Sequence, residues 1–128
     1  MKNSIITFFS ILLFSVGSYA ADSIKIISVS PDQSQELKVG SEVKITYEVE
    51  YTLESSEMGE IALEVQGASN NEILANEFYI ATKGKHTETL EATITIPDTR
   101  LINVITYVLP KGLSSTDVVE SRMYKVVK

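Results

Sequence analysis

The chain contains no cysteine, no tryptophan and a single histidine in 128 residues. Each shortage excludes something. Without Cys there is no disulfide, no thiolate metal site and no anchor residue for a lipid after an export leader. Without Trp the strongest sugar-stacking platform is missing. With one His, a catalytic triad or dyad lacks its usual base. That residue, His86, follows Lys83-Gly84-Lys85, where an exposed turn histidine is expected. Zinc would need about four Cys, His or carboxylate ligands, and Asp32-Gln33-Ser34-Gln35-Glu36 lacks the acidic spacing and the Gly of a calcium loop. No G-x-S-x-G and no Asn-x-Ser/Thr sequon occurs. The expectation is a chain without cofactor or metal, and not an enzyme.

Basic residues are also scarce. Lys plus Arg number 11 against 17 Asp plus Glu, a net charge of −6 with His neutral. The closest basic pair is Lys83 and Lys85, so no cluster offsets the acidic average, and nucleic acid and anionic headgroups are excluded as partners.

What is present begins with a leader. Lys2 supplies a positive start, Ile5 to Val16 is an uncharged apolar run, and Ser18-Tyr19-Ala20 puts small residues where a signal peptidase reads. The run is short for a membrane span of roughly 20 residues, and no basic stop-transfer cluster follows, which argues against a retained anchor. Residues 1–20 are therefore expected to be a signal peptide and 21–128 one domain, without a membrane span in the mature form, in a bacterial periplasm or secreted. Cleavage removes only Lys2 among charges, leaving 10 basic against 17 acidic residues, or −7.

Beyond residue 20 the apolar residues recur with period two, the pattern of half-buried strands. Val43, Ile45, Tyr47, Val49, Tyr51 and Leu53 alternate with polar residues without a slip. Ile61, Leu63 and Val65 do the same after a predicted loop, Glu54 to Gly59, as do Leu90, Ala92, Ile94 and Ile96 before Pro97-Asp98-Thr99. Leu101 to Leu109 (LINVITYVL) is apolar in both alternating sets, which predicts a central strand covered on both sides or near a partner. Ser23 to Val29, Ile73 to Ala81 and Asp117 to Val127 complete the set, with a Lys83-Gly84-Lys85 turn between two of them. A short helix over 71–79 is the one helical alternative.

Seven short strands, Pro31 after the first and Val39-Gly40-Ser41-Glu42-Val43 opening the second make residues 23–128 resemble a bacterial immunoglobulin-like or fibronectin type III-like domain. The resemblance implies an all-β fold, a single immunoglobulin-like β-sandwich of about seven antiparallel strands. It lacks the Cys pair and core Trp of true immunoglobulin domains, and Tyr107 sits late for a tyrosine corner. A fold of this kind fixes no single function.

The function expected is a non-catalytic interaction domain binding a protein or a surface glycan or other polymer through loops or a strand edge. Its candidate surface is the acidic pair Glu48 and Glu50 beside Glu60 and Glu64 on the next strand, with Tyr79 as an exposed aromatic. The alternative is an inhibitor of a secreted or host hydrolase, although the Asn-Pro-Thr-Thr-Gly and Gly-rich loops of immunoglobulin-like cysteine-protease inhibitors are absent. A carboxylate-only glycosidase is disfavoured because so small a sandwich encloses little concave surface.

Overall fold

The computed structural model describes residues 21–69 and 72–128, so the expected signal peptide lies outside the described residues. The described chain is all-β with a mostly antiparallel sheet. The strands are β1 (Ser23–Ser30), β2 (Leu37–Lys38), β3 (Glu42–Gly67), β4 (Glu72–Thr95), β5 (Leu101–Pro110) and β6 (Val119–Val127). The segment proposed as an alternative helix is strand where it is described.

Two strands are far longer than the sequence pattern predicts. The loop expected over 54–59 and the turn expected at 83–85 are both absorbed into a continuous β3–β4 pair. Leu53 faces Gly84 and Met58 faces Thr82, so residues 54–57 bulge opposite Lys83 alone. Gly84, at φ 108°, takes a backbone conformation that a side chain would strain. The turn-forming residues were real signals, but they make a bulge at which both strands bend.

A bulge leaves backbone donors without ladder partners, and here side chains supply them. Asp22 Oδ1 accepts from the backbone N–H of Glu54 at 2.7 Å and of Ser55 at 3.0 Å, and its Oδ2 accepts from the Ser55 hydroxyl. Burial alone would raise the Asp22 carboxyl; those hydrogen bonds outweigh it and hold the group below the usual carboxylate value. On the other side the Thr82 N–H donates to Tyr51 Oη at 3.2 Å. His86 is not in an exposed turn. It lies in β4 opposite Tyr51, its ring 5.3 Å from the tyrosine ring, with Nε2 3.0 Å from the Lys83 carbonyl.

The bulge also changes partners. Residues 42–53 of β3 lie between β1 and residues 84–95 of β4, which form a first ladder. Residues 58–67 lie between residues 72–82 of β4 and β5, and β5 pairs β6, which form a second ladder. A short parallel pairing of β2 with the end of β6 extends it. Gly59 is needed where β3 enters this ladder, because a Cβ there would stand 2.5 Å from the Leu109 carbonyl oxygen.

The inward sets of both ladders meet in one core that includes Ile45, Tyr47, Val49, Leu63, Val65, Leu90, Ile102, Val104 and Tyr124. Each fully buried large side chain contributes roughly 1.5–3 kcal/mol of transfer free energy. In place of disulfides, tyrosine hydroxyls tie distant backbone: Tyr124 Oη donates to the Pro31 carbonyl at 2.8 Å, and Tyr79 Oη accepts from the Glu91 N–H at 3.0 Å. Tyr47 differs, for its buried hydroxyl lies beside that of Tyr124 but makes no hydrogen bond of good geometry among the described residues, and burial followed by Tyr124 raises its pKa.

Candidate functional site

The alternation that buries one set of side chains presents the other outward, so each ladder has an outer face. On the first ladder that face is polar apart from Ile27 at the β1 bulge. Lys44, Thr46, Glu48, Glu50 and Thr52 lie opposite Thr93, Glu91, Thr89, Thr87 and Lys85 on β4, and Ser23, Lys25, Ser28 and Ser30 of β1 complete it. Three of its carboxylates are answered within the chain, Glu50 by Lys85 at 2.9 Å, Glu91 by Lys44 at 3.4 Å, and Glu48 by the Ser28 hydroxyl at 3.2 Å, while Glu42 at the end of the face makes no ion pair among the described residues.

The outer face of the second ladder is mixed, with its apolar residues concentrated in the rows near the bulge. Its rows run Ile80, Glu60, Leu109; then Phe78, Ala62, Tyr107, Val119; then Asn76, Glu64, Ile105, Ser121. A further row brings Gln66 and Asn103 beside Met123. Ile80 is 70% exposed and Phe78 49%, whereas the small Ala62 between Phe78 and Tyr107 is fully buried. Of the eight large hydrophobic residues exposed among the described residues, seven belong to this ladder or to the β5–β6 loop, and the exception, Ile27, marks the β1 bulge. At one end Met58, Ile80, Leu109 and Leu113 line an open cleft of about 370 Å3.

Two carboxylates interrupt this surface. Glu60 and Glu64 bracket Tyr107, whose hydroxyl pKa is raised by burial first and then by the charges of Glu64 and Glu60. Glu64 accepts a hydrogen bond from the Gln66 side chain. Among the described residues neither glutamate has a Lys or Arg within ion-pair distance.

The expected acidic surface is therefore corrected. Glu48 and Glu50 do not adjoin Glu60 and Glu64, because all four sit on the one strand β3 and its two halves join different ladders. Tyr79 is corrected too: it packs partly buried against the core beside Ala75, while Phe78 and Ile80 face out. The assignment from the pattern inverted because Leu74 reads as a companion of Phe78 and Ile80, yet the shift between Val65 and Gln66 lets Leu74 pack inward along with Tyr79. The surface residues missed, Phe78, Ile80, Val119 and Met123, had one signal in the sequence, the apolar character of both sets in LINVITYVL.

Metal ligation and serine–lysine chemistry both need particular side chains to converge among the described residues. No three His, Asp or Glu side chains converge as metal ligands there. Ser41-Glu42-Val43-Lys44 has the spacing of a serine–lysine pair, but Ser41 Oγ donates to the Lys38 carbonyl at 2.6 Å and Lys44 is held by Glu91. No helix among the described residues is long and apolar enough to cross a membrane.

No family model and no curated protein matches the chain. Among solved structures it is similar to part of the β-glucosidase from Listeria innocua in complex with glucose, at a TM-score of 0.50 and 17% identity over 88% of this chain and 17% of that one. The same enzyme in complex with gluconolactone gives a TM-score of 0.49 at 17% identity over 89% and 17% of the two chains. The chain thus spans less than a fifth of those chains' length, 17%, and at this identity the likeness concerns the fold alone.

Proposed function

We propose that residues 21–128 form an exported, non-catalytic interaction domain with an immunoglobulin-like or fibronectin type III-like sandwich, docking a partner on the outer face of the second ladder. The observation that carries the docking role is the contrast of faces: exposed Phe78, Ile80, Val119 and Met123 share one side, and the other side is polar apart from Ile27 at the β1 bulge. Contiguous exposed apolar surface on a domain of this size marks an interaction site more often than chance exposure. The sandwich reading draws support from the change of partners at the bulge, which lets one strand serve two layers. Export rests on the leader, Ile5 to Val16 with Ser18-Tyr19-Ala20.

The test is photocrosslinking in the native host, with a photoreactive residue at Ile80 in one variant and at Thr89 of the polar face in another. A discrete adduct at Ile80 and none at Thr89 is expected. Equal adducts at both, or none at Ile80, would reject the docking role.

A further inference from the structure

We infer that the partner segment docking on the second ladder is both apolar and basic, an inference that rests on the docking role proposed above. Glu60 and Glu64 stand inside the apolar rows, in line with Ile80 and Leu109 and with Ile105. A wholly apolar partner would strip water from both carboxylates and return nothing, which is costly for a charge. An acidic partner would add repulsion to the −6 charge of the chain. Lys or Arg side chains placed among apolar ones satisfy both features at once, their stems on Phe78 and Tyr107 and their charges at the glutamates. The Tyr107 hydroxyl between the two glutamates adds a hydrogen-bonding group at the same spot.

The contrast with the first ladder makes the charge argument specific. There Glu50, Glu91 and Glu48 already have Lys85, Lys44 and Ser28. On the second ladder Glu64 has only the Gln66 amide, and Lys111, which lines the cleft with Glu60, makes no ion pair with it among the described residues, so an incoming segment supplies the cations. A second copy of the chain is the poorer occupant, since a twofold contact sets the same patch against itself and the rows around Glu60 and Glu64 carry no Lys or Arg to offer them. The cleft of about 370 Å3 lined by Met58, Ile80, Leu109 and Leu113 gives an apolar side chain of the segment a seat beside Glu60.

The probe is a short fluorescent peptide of Leu, Val and Lys, compared with one carrying Glu for Lys and one carrying Ser for Leu and Val, titrated by anisotropy against residues 21–128. The Leu/Val/Lys peptide is expected to bind. Glu60→Gln with Glu64→Gln should weaken it by about tenfold or more, the scale of losing close charge pairs. Phe78→Ser with Ile80→Ser should weaken it comparably. Glu48→Gln with Glu50→Gln should change it by less than about twofold, because exposed and already partnered charges matter little. All of these positions face outward, and circular dichroism melts confirm that each variant folds.

Binding that ignores Glu60 and Glu64, or equal binding of the Glu-containing peptide, overturns the basic character of the partner. A dimer in sedimentation that Ile80→Glu dissociates overturns it in favour of a second copy. If the Ile80 crosslink persists in the Glu60→Gln, Glu64→Gln background, the docking role survives and this inference fails; if no Ile80 crosslink forms at all, the docking role itself fails.

Discussion

The two outer faces of this domain are built from the same two strands and differ in almost everything else. Before the bulge β3 presents Lys44, Thr46, Glu48 and Glu50; after it, Met58, Glu60, Ala62 and Glu64. On the first face Lys85 pairs with Glu50, Lys44 with Glu91, and the Ser28 hydroxyl with Glu48. On the second, β4, β5 and β6 contribute Phe78, Ile80, Tyr107, Val119 and Met123, and the glutamates are left without cations. Exposed Glu and Lys on a sheet serve solubility and block edge pairing, so the first face needs no partner to explain it. The second exposes Phe78, Ile80, Val119 and Met123, and it is there that docking is proposed.

This contrast depends on a scaffold that keeps inside and outside distinct. The largest effect is expected at β5, where Val104 is fully buried and Ile105, its neighbour, belongs to the outer rows. Val104→Asp places an unpaired carboxylate in the core at a cost of several kcal/mol, against a net stability of about 5–10 kcal/mol, and should leave the chain unfolded. Ile105→Asp should cost about 1–2 kcal/mol and fold. Urea midpoints decide; equal losses would mean that β5 does not separate the two sides.

The corner between the faces is the next place to press. Asp22→Asn removes charge-assisted bonds to Glu54 and Ser55 at the bulge and should cost about 1.5–3 kcal/mol at neutral pH. Because folding lowers the Asp22 pKa, its contribution is present above the ordinary Asp value of 3.8 and is lost as pH falls through the folded value. The gap between wild type and variant in thermal melts should therefore close on acidification. A gap that widens below that pH would contradict the assigned bonds.

A smaller effect of opposite sign is expected beneath the first ladder. Tyr47→Phe deletes a buried hydroxyl that makes no hydrogen bond of good geometry, and should be neutral or stabilising by up to about 1 kcal/mol. A destabilisation above that size in chemical denaturation would reveal such a bond. The smallest effects belong to the faces themselves. Glu48→Lys and Ile80→Asp should each change stability by no more than about 0.5 kcal/mol, so that only a binding measurement tells the two surfaces apart.

Much of the fold was legible because burial on one side imposes period two. The inward set from Ile45 to Leu53, the set Ile61, Leu63 and Val65, and the set Leu90 to Ile96 are all buried as the alternation implies. Partnering was less legible. Alternation says which side of a strand is wet, never which strand lies beside it, so Glu48 and Glu60 looked like neighbours when the bulge at 54–57 sends them to different ladders. A single-residue slip near Gln66 turned Leu74 out of step with Phe78 and Ile80, so grouping the three misplaced Tyr79, which lies opposite buried Ile61. The site was legible only at LINVITYVL, where Ile105, Tyr107 and Leu109 broke the expected polar alternation.

The most direct test of the contrast between the faces is an amide chemical-shift map of residues 21–128 titrated with the Leu/Val/Lys peptide. Both faces carry glutamates, so charge attraction alone would perturb Glu48 and Glu50 as much as Glu60 and Glu64. The account predicts perturbations concentrated at Phe78, Ile80, Tyr107 and Val119 together with Glu60 and Glu64, and little change along residues 44–52. Perturbations centred on Glu48 and Glu50, or spread evenly over both ladders, would contradict it.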